Sequence, residues 1–298
     1  MDFEKAFDFV HRNSLFYKLV LNNINGKFLK VVENMYKDAK SCIVHNNEKS
    51  EMFACEIGVR QGENLSPLLF CIYLNDLQEF LENAFVKGVD CISKDLENEL
   101  VVNFKIFILL YADDTILLSE SSEDLQNMLN EFDKYCEKWK LKINVQKTKV
   151  LIFSRGRISK HLKFFIRNDE IEIVKDYKYL GVYFSRSGSF LKTRKYLKEK
   201  AIQAMYGLLQ KCRKNKLSIE CQLDMFDRIV LPVLLYGSEI WGFENLDIIE
   251  RVHLRFCKLI LHLKPTTPNF MVYGELGRFP ISVMIKVRMI KFWCRICK

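Results

Sequence analysis

The sequence predicts an α+β fold, because consecutive strand-like pieces at 149–184 are followed by helical patterns alone, instead of a regular alternation of strand and helix. Two short apolar runs, 106–111 and 115–118, flank a pair of aspartates, as two strands joined by a turn would. Apolar residues recur at helical spacing in 121–139. Further strand-like pieces stand at 149–153, 162–166, 170–174 and 179–184. Beyond residue 189 helical patterns take over, at 191–213, 246–263 and 281–297.

The first 60 residues combine two predicted helices with a hairpin. A strand end at 2–9 leads into a helix that Asn13 and Ser14 cap. A second helix is predicted over 28–37. The polar stretch 45–51 separates two short apolar runs, which predicts a β-hairpin.

Serine residues mark the starts of two further helices. Ser66 is predicted as the N-cap, and Pro67 as the first residue, of a helix whose apolar side chains continue to Phe80. Ser121 and Ser122 cap the helix that follows the two aspartates.

The composition is that of a folded protein with an uneven charge. Of its 298 residues, 49% are hydrophobic and 28% charged, which excludes a wholly disordered chain. Residues 1–150 carry 18 basic and 24 acidic side chains, a net charge of −6, whereas residues 151–298 carry 28 against 13, a net charge of +15. This asymmetry predicts a basic half that binds phosphate groups and an acidic half that can hold cations.

The predicted compartment is intracellular, nucleus or cytoplasm. The N-terminus has no signal-peptide character, and no uncharged apolar run reaches about 18 residues, so we expect no membrane partner. The ten cysteines are scattered, which favours buried, reduced thiols. Cys294 and Cys297 form a close pair, but the absence of a second pair nearby disfavours a zinc site.

The strongest chemical signal is the pair Asp113 and Asp114 between two predicted buried strands. Adjacent ionised carboxylates in an apolar setting lose hydration and repel one another, and a bound divalent cation offsets that cost. The alternative is a solvated turn, since aspartate is common in turns. Asp2 ends another apolar segment; if that segment lies beside the hairpin, three carboxylates converge and can bridge two Mg²⁺ ions. Asp8 alone favours a surface or helix-start position.

A third segment, GVRQGENLSPLLF at 58–70, places glycines before a helix start. Glycine lets the backbone approach a ligand closely, and a helix N-terminus favours a nearby phosphate. A tight turn before a capped helix is the alternative interpretation, and it leaves the polar Arg60, Gln61 and Gly62 unexplained.

Together these segments resemble one family. DFEKAFD at 2–8, the 58–70 segment with LNDL at 74–77, and YADD at 111–114 are similar, in order, to the first three core motifs of reverse transcriptases, in the branch of non-LTR (LINE-type) retrotransposons. Further similarities to that branch are NVQKTK at 144–149, YLGV at 179–182, which resembles the hairpin that grips the primer end, and LPVLLYGSEIWG at 231–242. The probability that several motifs match in the correct order by chance is small, although each short motif is weak evidence alone.

The resemblance implies a right-hand polymerase. The expected fold is a palm, residues 1–187, with a small antiparallel sheet packed on helices and a residual fingers insertion at about 11–60. A mainly helical thumb-like region, 188–298, follows. The implied activity is RNA-directed DNA polymerisation, a nucleotidyl transfer driven by two Mg²⁺ ions, with Mn²⁺ possible in their place. The implied partners are an RNA template, a DNA primer and deoxynucleoside triphosphates.

The implied site roles are transferred motif by motif. Asp2, Asp113 and Asp114 match the catalytic, metal-binding carboxylates. Phe7 matches the aromatic residue that excludes a ribose 2′-hydroxyl. The residues that match the nucleotide pocket are Gln61 and Gly62. Lys147, with Lys149 close behind, matches the lysine that gives a proton to pyrophosphate; ordinary solvated strand flanks are the alternative for both.

Two expectations qualify the predicted activity. Met1 stands one residue before Asp2, so most of the fingers is expected to be missing, and the chain is predicted to be a fragment with impaired activity. The basic stretch from Lys192 to Arg213 is predicted to track the template–primer backbone, with a solvated helix face as its alternative. The rival functions are a non-catalytic nucleic-acid-binding remnant and an RNA-templated RNA polymerase.

Overall fold

The computed structural model of the chain mixes helices with small sheets, consistent with the predicted α+β class. The structure describes residues 1–94, 101–111, 114–154, 156 and 161–296. Two compact units divide the chain: Met1–Val150 with Ile158–Val174, and Leu151–Arg157 with Lys175–Lys298. The boundary expected near residue 187, between the palm and the thumb-like region, stays a prediction.

The first unit carries five described helices: α1 (Arg12–Leu21), α2 (Gly26–Tyr36), α3 (Ser66–Leu74), α4 (Leu77–Asn83) and α5 (Ser122–Lys138). Its strands are β1 (Lys40–Ser41), β2 (Val44–His45), β3 (Glu48–Lys49), β4 (Phe53–Ala54), β5 (Val89–Lys94), β6 (Val101–Ile106), β7 (Ile108–Tyr111), β8 (Asp114–Leu117), β9 (Lys149–Leu151), β10 (Phe164–Ile166) and β11 (Asp169–Val174). The strands form small sheets, with β1 paired to β4, β2 to β3, β5 to β6 and β7 to β8, each pair antiparallel. A hairpin is confirmed around 45–51, but its strands differ from the predicted ones: β2 pairs with β3 inside the polar stretch, and β1 pairs with β4 outside it.

The second unit begins with an antiparallel hairpin and continues as helices. The hairpin strands are β12 (Asp176–Tyr179) and β13 (Val182–Ser185). The helices are α6 (Leu191–Lys214), α7 (Ile219–Met225), a π-helical turn at Phe226–Val230, α8 (Leu231–Leu234), α9 (Ser238–Trp241), α10 (Asp247–Ile260), α11 (Asn269–Leu276) and α12 (Ile281–Ile296). The helical patterns predicted at 191–213, 246–263 and 281–297 are thereby confirmed.

Aromatic packing holds the segment with Asp2 against the helices of the first unit. The Phe3 ring is buried, and its centroid lies 6.1 Å from that of Phe70 on α3 and 5.8 Å from that of Phe132 on α5. The Ser121 hydroxyl caps α5, as predicted, by accepting a hydrogen bond from the Asp124 N–H. The apolar stripe of α5 then faces the core with Met128, Phe132 and Tyr135 fully buried.

The N-cap residues predicted for two helices of the first unit are wrong. The His11 side chain, not Asn13 or Ser14, caps α1 by accepting from the Ser14 N–H. Ser66 lies inside α3, where its hydroxyl donates 2.5 Å to the Arg60 carbonyl, so it secures the preceding loop instead of capping the helix.

The predicted strand 179–184 is wrong, because the chain reverses direction within it. Tyr179 pairs with Val182, so Leu180 and Gly181 form a two-residue turn between β12 and β13. Both turn residues have positive φ angles, +45° and +83°. Leucine seldom adopts that conformation, so its side chain gave no turn signal.

The second unit has a core of its own around α6. Leu197, Met205 and Leu209 of that helix are buried and belong to one apolar cluster with Phe226 and Phe256. None of the described helices is long and apolar enough to cross a membrane. The nine described cysteines are free, but the predicted burial is wrong for three that lie on the exposed faces of helices, namely Cys71, Cys221 and Cys294.

Candidate active site

The β7–β8 hairpin forms one side of the candidate site. Tyr111 pairs with Asp114, so the two predicted strands and their antiparallel pairing are confirmed. Ala112 and Asp113, the first of the two predicted aspartates, lie outside the described residues. Leu109 and Leu110 are half-exposed, contrary to the predicted burial, because β7 pairs only with β8 among the described strands. Thr115 on β8 is buried.

The segment that carries Asp2 lies directly beside β8. The Met1 nitrogen donates to the Thr115 carbonyl at 2.7 Å, and the Thr115 N–H faces the Met1 carbonyl at 3.4 Å. On its other side the segment pairs through an antiparallel bridge between Phe3 and Ile143. Asp2 therefore lies between the aspartate hairpin and the segment that leads to Lys147, although more than 100 residues separate it from both in the sequence.

The Asp2 carboxylate lacks a hydrogen-bond partner in the protein for one of its oxygens. Its Oδ2 is buried and accepts no hydrogen bond. Lys147 Nζ lies 3.8 Å from that oxygen. The Asp2 N–H is fixed by the Thr148 hydroxyl at 3.2 Å. Burying a carboxylate oxygen that accepts no hydrogen bond costs free energy, so this arrangement favours cations near Oδ2, of which the Lys147 ammonium group is one.

Asp114 and Asp2 both lie near the Met1 nitrogen. Burial lowers the pKa of the Met1 amino group, while the charges of Asp114 and Asp2 raise it. Because one amino group feels both carboxylates, their negative fields overlap in this part of the site.

The two described carboxylates fit a divalent-cation site. Carboxylate oxygens are the ligands that Mg²⁺ prefers, and the buried Asp2 Oδ2 is not satisfied by the protein. Within the described ranges, no group of three or more His, Cys, Asp or Glu side chains could by itself hold a metal ion. Asp2 and Asp114 are thus the described members of the predicted set of three carboxylates. The third member, Asp113, lies outside the described residues.

Lys147 and Lys149 have different surroundings. The Asn144 side chain accepts from the Lys147 N–H at 3.2 Å and so fixes the turn that presents Lys147. The Lys147 side chain is largely exposed apart from its approach to Asp2. Lys149 Nζ instead bonds Glu172 at 2.7 Å and the Gln146 carbonyl at 2.5 Å. Of the two lysines, Lys147 is the one that faces a site carboxylate.

The residues predicted for the nucleotide pocket lie together. The half-buried Phe7 ring packs on Phe70, with centroids 5.2 Å apart, and the Phe7 carbonyl accepts from the Val59 N–H at 2.8 Å. Gln61 Nε2 donates 3.0 Å to Asp8 Oδ1. Asp8 is exposed, as predicted, and it also orients Gln61.

Gly58 and Gly62 both adopt positive φ angles in the loop before α3, +84° and +86°. A Cβ on Gly58 would lie 2.6 Å from the Asp8 carbonyl oxygen, whereas a Cβ on Gly62 would meet no atom within 4 Å. Gly58 therefore permits a close backbone contact, and Gly62 leaves open space beside Gln61.

Sequence patterns missed Arg12, which ties this loop to α1. The buried guanidinium donates to four backbone carbonyl groups: Tyr36 at 3.1 Å, Cys55 at 2.5 Å, Ile57 at 3.2 Å and Gly58 at 2.9 Å. Backbone carbonyls carry no residue-type signal, so nothing in the sequence could indicate these partners.

Lys18 was also missed, because its side-chain partners are far away along the sequence. Its ammonium group is buried in an aromatic cage, 3.8 Å from the Trp139 ring centroid, and it donates 2.5 Å to Asp76 and 2.8 Å to the Tyr135 hydroxyl. Asp76 belongs to the LNDL segment, so this network anchors that segment between α1 and α5.

Comparison with known proteins identifies the family of the chain. Residues 1–184 match the family described as reverse transcriptase (RNA-dependent DNA polymerase). The chain belongs to this family, and the predicted resemblance to the non-LTR branch is confirmed by relatives from LINE-like mobile elements.

Three relatives illustrate the similarity. The chain is 27% identical over 269 residues to the RNA-directed DNA polymerase from mobile element jockey of Drosophila funebris, covering 87% of this chain and 27% of the relative. It is 26% identical over 264 residues to the probable RNA-directed DNA polymerase from transposon BS of Drosophila melanogaster, covering 85% and 27%. It is 25% identical over 291 residues to the retrovirus-related Pol polyprotein from type-1 retrotransposable element R2 of Popillia japonica, covering 92% and 38%. The chain thus spans well under half the length of these relatives.

Proposed function

We propose that the chain carries the palm and thumb of an RNA-directed DNA polymerase that joins deoxynucleotides to a primer 3′-hydroxyl on an RNA template. The observation that carries this proposal is the buried, unsatisfied Oδ2 of Asp2, placed next to the Asp114 hairpin and 3.8 Å from Lys147. A carboxylate site that holds cations, with a lysine at its edge, suits the transfer of a phosphoryl group. The cations neutralise negative charge on the phosphate oxygens, and the lysine can protonate the leaving group.

The carboxylates hold cations in this proposal. Asp2, Asp113 and Asp114 would bind two Mg²⁺ ions, or Mn²⁺ in their place. When bound, the metals supply activation of the primer 3′-hydroxyl and neutralisation of charge on the triphosphate. Asp2 is suited to this role because the protein leaves its Oδ2 without a hydrogen bond, and the Thr148 hydroxyl fixes its backbone.

Lys147 would handle the proton on the leaving-group side. Its ammonium group lies at the edge of the carboxylate site, where it can donate a proton to the pyrophosphate oxygen as the bond to the α-phosphate breaks. Lys149 is unsuited to that role, because Glu172 and the Gln146 carbonyl already hold its ammonium group.

Phe7, Gln61 and Gly62 would select and orient the incoming nucleotide. The Phe7 ring is fixed against Phe70, so it can exclude a 2′-hydroxyl by steric contact. Gln61 is oriented by Asp8, and the open space at Gly62 lets a ligand approach the backbone.

The nucleic acid would bind along both proposed regions. We assign residues 1–187 to the palm, with a fingers remnant at about 11–60, and 188–298 to the thumb. The net charge of +15 in residues 151–298 favours contact with the phosphates of template and primer.

Primer extension tests this function. The purified chain is given a DNA primer on an RNA template, Mg²⁺ and deoxynucleoside triphosphates, and the products are resolved by length. We expect slow extension by the wild type, in keeping with its predicted impaired activity, and a further loss of at least about 100-fold in rate for Asp2→Asn, Asp113→Asn and Asp114→Asn, because each removes charge that holds the metals.

Asp224→Asn is the matched control, since Asp224 is an exposed carboxylate on α7 that pairs with Arg228 four residues on. It should extend primers at the wild-type rate. A folded wild type that binds template–primer but adds no nucleotide would contradict the proposal and favour a non-catalytic nucleic-acid-binding remnant.

A further inference from the structure

The turn between β12 and β13 holds an unfavourable backbone conformation. Leu180 and Gly181 both have positive φ angles, the pattern of a two-residue hairpin turn that normally begins with asparagine, aspartate or glycine. A leucine in that conformation is strained, so neighbouring residues must stabilise it.

Tyr236 makes two contacts with this turn from 56 residues farther along the chain. Its hydroxyl donates 2.8 Å to the Leu180 carbonyl oxygen. Its ring lies against Gly181, because a Cβ there would be only 2.9 Å from Cε1 of the ring. One tyrosine thus fixes the peptide group between the two turn residues and covers the backbone of the second.

The backbone around Tyr236 is itself fixed. Its carbonyl accepts 2.9 Å from Nε1 of the fully buried Trp241. Gly237 has a positive φ of +65°, and Val182 of the hairpin packs so closely that a Cβ on Gly237 would lie 3.1 Å from Val182 Cγ2. Tyr236, Gly237 and Trp241 therefore form one support under the hairpin.

The same support is anchored in the helical core. A Cβ on Gly242 would overlap Ile285 and meet Met289, both on α12, so this glycine allows α12 to pack directly on the end of α9. The LPVLLYGSEIWG segment, for which no role followed from the sequence, thereby joins the hairpin turn to the core of the second unit.

We propose that Tyr236 is a positioning residue for the primer 3′ end and acts by fixing the Leu180–Gly181 turn. The placement of this turn at the primer end belongs to the proposed function, on which the role of Tyr236 depends. In a trans peptide the C=O and N–H groups point in opposite directions, and no described peptide bond is cis. With the Leu180 carbonyl held by Tyr236, the Gly181 N–H points away from the tyrosine, where it can donate to a primer phosphate.

Two variants separate this role from simple support of the fold. Tyr236→Phe keeps the ring on Gly181 but removes the hydrogen bond to Leu180. Gly181→Ala keeps the hydroxyl but places a Cβ against the ring at a positive φ. Tyr17→Phe on α1 is the control, since it removes an equally exposed phenol from the first unit.

The measurement is binding of two labelled RNA–DNA duplexes by fluorescence anisotropy, one with a recessed DNA 3′ end and one blunt. We expect the wild type to prefer the recessed duplex. Tyr236→Phe and Gly181→Ala should weaken that preference by about 2- to 10-fold, the value of one hydrogen bond, and leave blunt-duplex affinity and the thermal unfolding midpoint of Tyr236→Phe near wild type. The double variant should be no weaker than Gly181→Ala alone, since both changes act on one turn.

The outcomes distinguish the two proposals. A wild type that prefers the recessed end, with both variants unchanged, would overturn the role of Tyr236 and leave the polymerase function intact. Equal weakening on both duplexes, or by Tyr17→Phe, would assign the loss to general folding and also overturn it. A wild type without any preference for the recessed end would contradict the proposed function of the hairpin itself.

Discussion

Lys147 and Lys149 stand two residues apart in the sequence, and only their contacts distinguish them. Lys147 approaches the unsatisfied oxygen of Asp2, whereas Lys149 is held by Glu172 and a backbone carbonyl. Sequence alone could not choose between a catalytic lysine and a solvated strand flank, because both positions have the same residue type and similar neighbours.

We predict that Lys147→Met lowers the single-turnover rate of nucleotide addition by about 100-fold or more, since a positioned proton donor contributes about 10²–10⁴. Lys149→Met is the matched variant and should change the rate little. Rates are measured by rapid quench at one pH for the wild type and both variants. Equal rate losses in the two variants would remove the basis for assigning the proton to Lys147.

Lys18 gives a prediction about stability and pH. Burial lowers its pKa to about 8, although the hydrogen bond and charge of Asp76 raise it, and Lys138 adds a lowering charge. Between pH 8 and the ordinary value of 10.5, the unfolded chain therefore binds more protons at this site than the folded protein does. Stability from Lys18 thus rises with pH across that window, the reverse of a lysine whose partner raises its pKa.

We expect the free energy of unfolding to rise by on the order of 1 kcal/mol through this residue between about pH 7.5 and about pH 9.5. Urea unfolding of the wild type and Lys18→Met gives the measurement, and the variant should lose this rise. Lys134→Met, which removes an exposed lysine of α5, should keep it. Burial raises the pKa of Tyr73 to about 12 and also raises that of Tyr135 above the ordinary value of 10.0. Above that ordinary value the tyrosines ionise first in the unfolded chain, so the free energy of unfolding falls with pH. A rise that Lys18→Met retains would show that other groups cause it.

At the scale of elements, a feature could be predicted when the residues that cause it are neighbours in the sequence. Ser121 as the cap of α5 and the β7–β8 hairpin follow from residues next to one another in the sequence. The resemblance of YLGV indicated a hairpin at 179–182, but the local residue pattern did not show the Leu180–Gly181 turn, because its stabilising partner, Tyr236, is far away along the chain. Arg12 likewise bonds backbone carbonyls that leave no trace in residue type.

The candidate site divides in the same way. The carboxylates were predictable from their apolar flanks, and the structure places Asp2 beside the hairpin of Asp114. The unsatisfied Oδ2 of Asp2, its separation from Lys147 and the bond between Gln61 and Asp8 depend on pairing across more than 50 residues. Such features follow from the fold and not from any local pattern.

The loop before α3 offers a test at the element scale, because two of its glycines share a positive φ but differ in space. Gly58→Ala adds both backbone strain and a clash with the Asp8 carbonyl, whereas Gly62→Ala adds strain alone. We predict that Gly58→Ala lowers the free energy of unfolding by about 1–3 kcal/mol more than Gly62→Ala does. Urea unfolding measures the stability of each variant.

Gly58→Ala should also raise KM for deoxynucleotides in primer extension, since moving Asp8 releases Gln61. Gly62→Ala should also raise that KM, because its Cβ occupies the open space through which the nucleotide approaches the backbone. Equal stabilities of the two variants would show that the Asp8 backbone moves aside for a Cβ at position 58 without lowering the free energy of unfolding.

The whole molecule is defined by its charge asymmetry. Residues 1–150 have a net charge of −6 and contain the carboxylate site, while residues 151–298 have a net charge of +15. An acidic site needs cations to approach phosphate, and a basic region binds phosphate directly, so the two halves are suited to different parts of one polyanionic substrate. The binding free energy should accordingly depend on salt through the second half.

We predict that replacing Lys195, Lys198 and Lys200 on α6 by alanine makes the salt dependence of template–primer binding shallower. Each phosphate contact releases condensed counterions and contributes about −0.9 to the slope of log K against log salt on a duplex, so three contacts change the slope by up to about 3. The affinity is measured by anisotropy at several salt concentrations. The matched control replaces Lys134, Lys138 and Lys140, three exposed lysines on and just beyond α5, and removes the same charge from the first unit. If both triple variants change the slope equally, net charge alone governs binding; if neither does, α6 presents a solvated face and the nucleic acid binds elsewhere on the basic half.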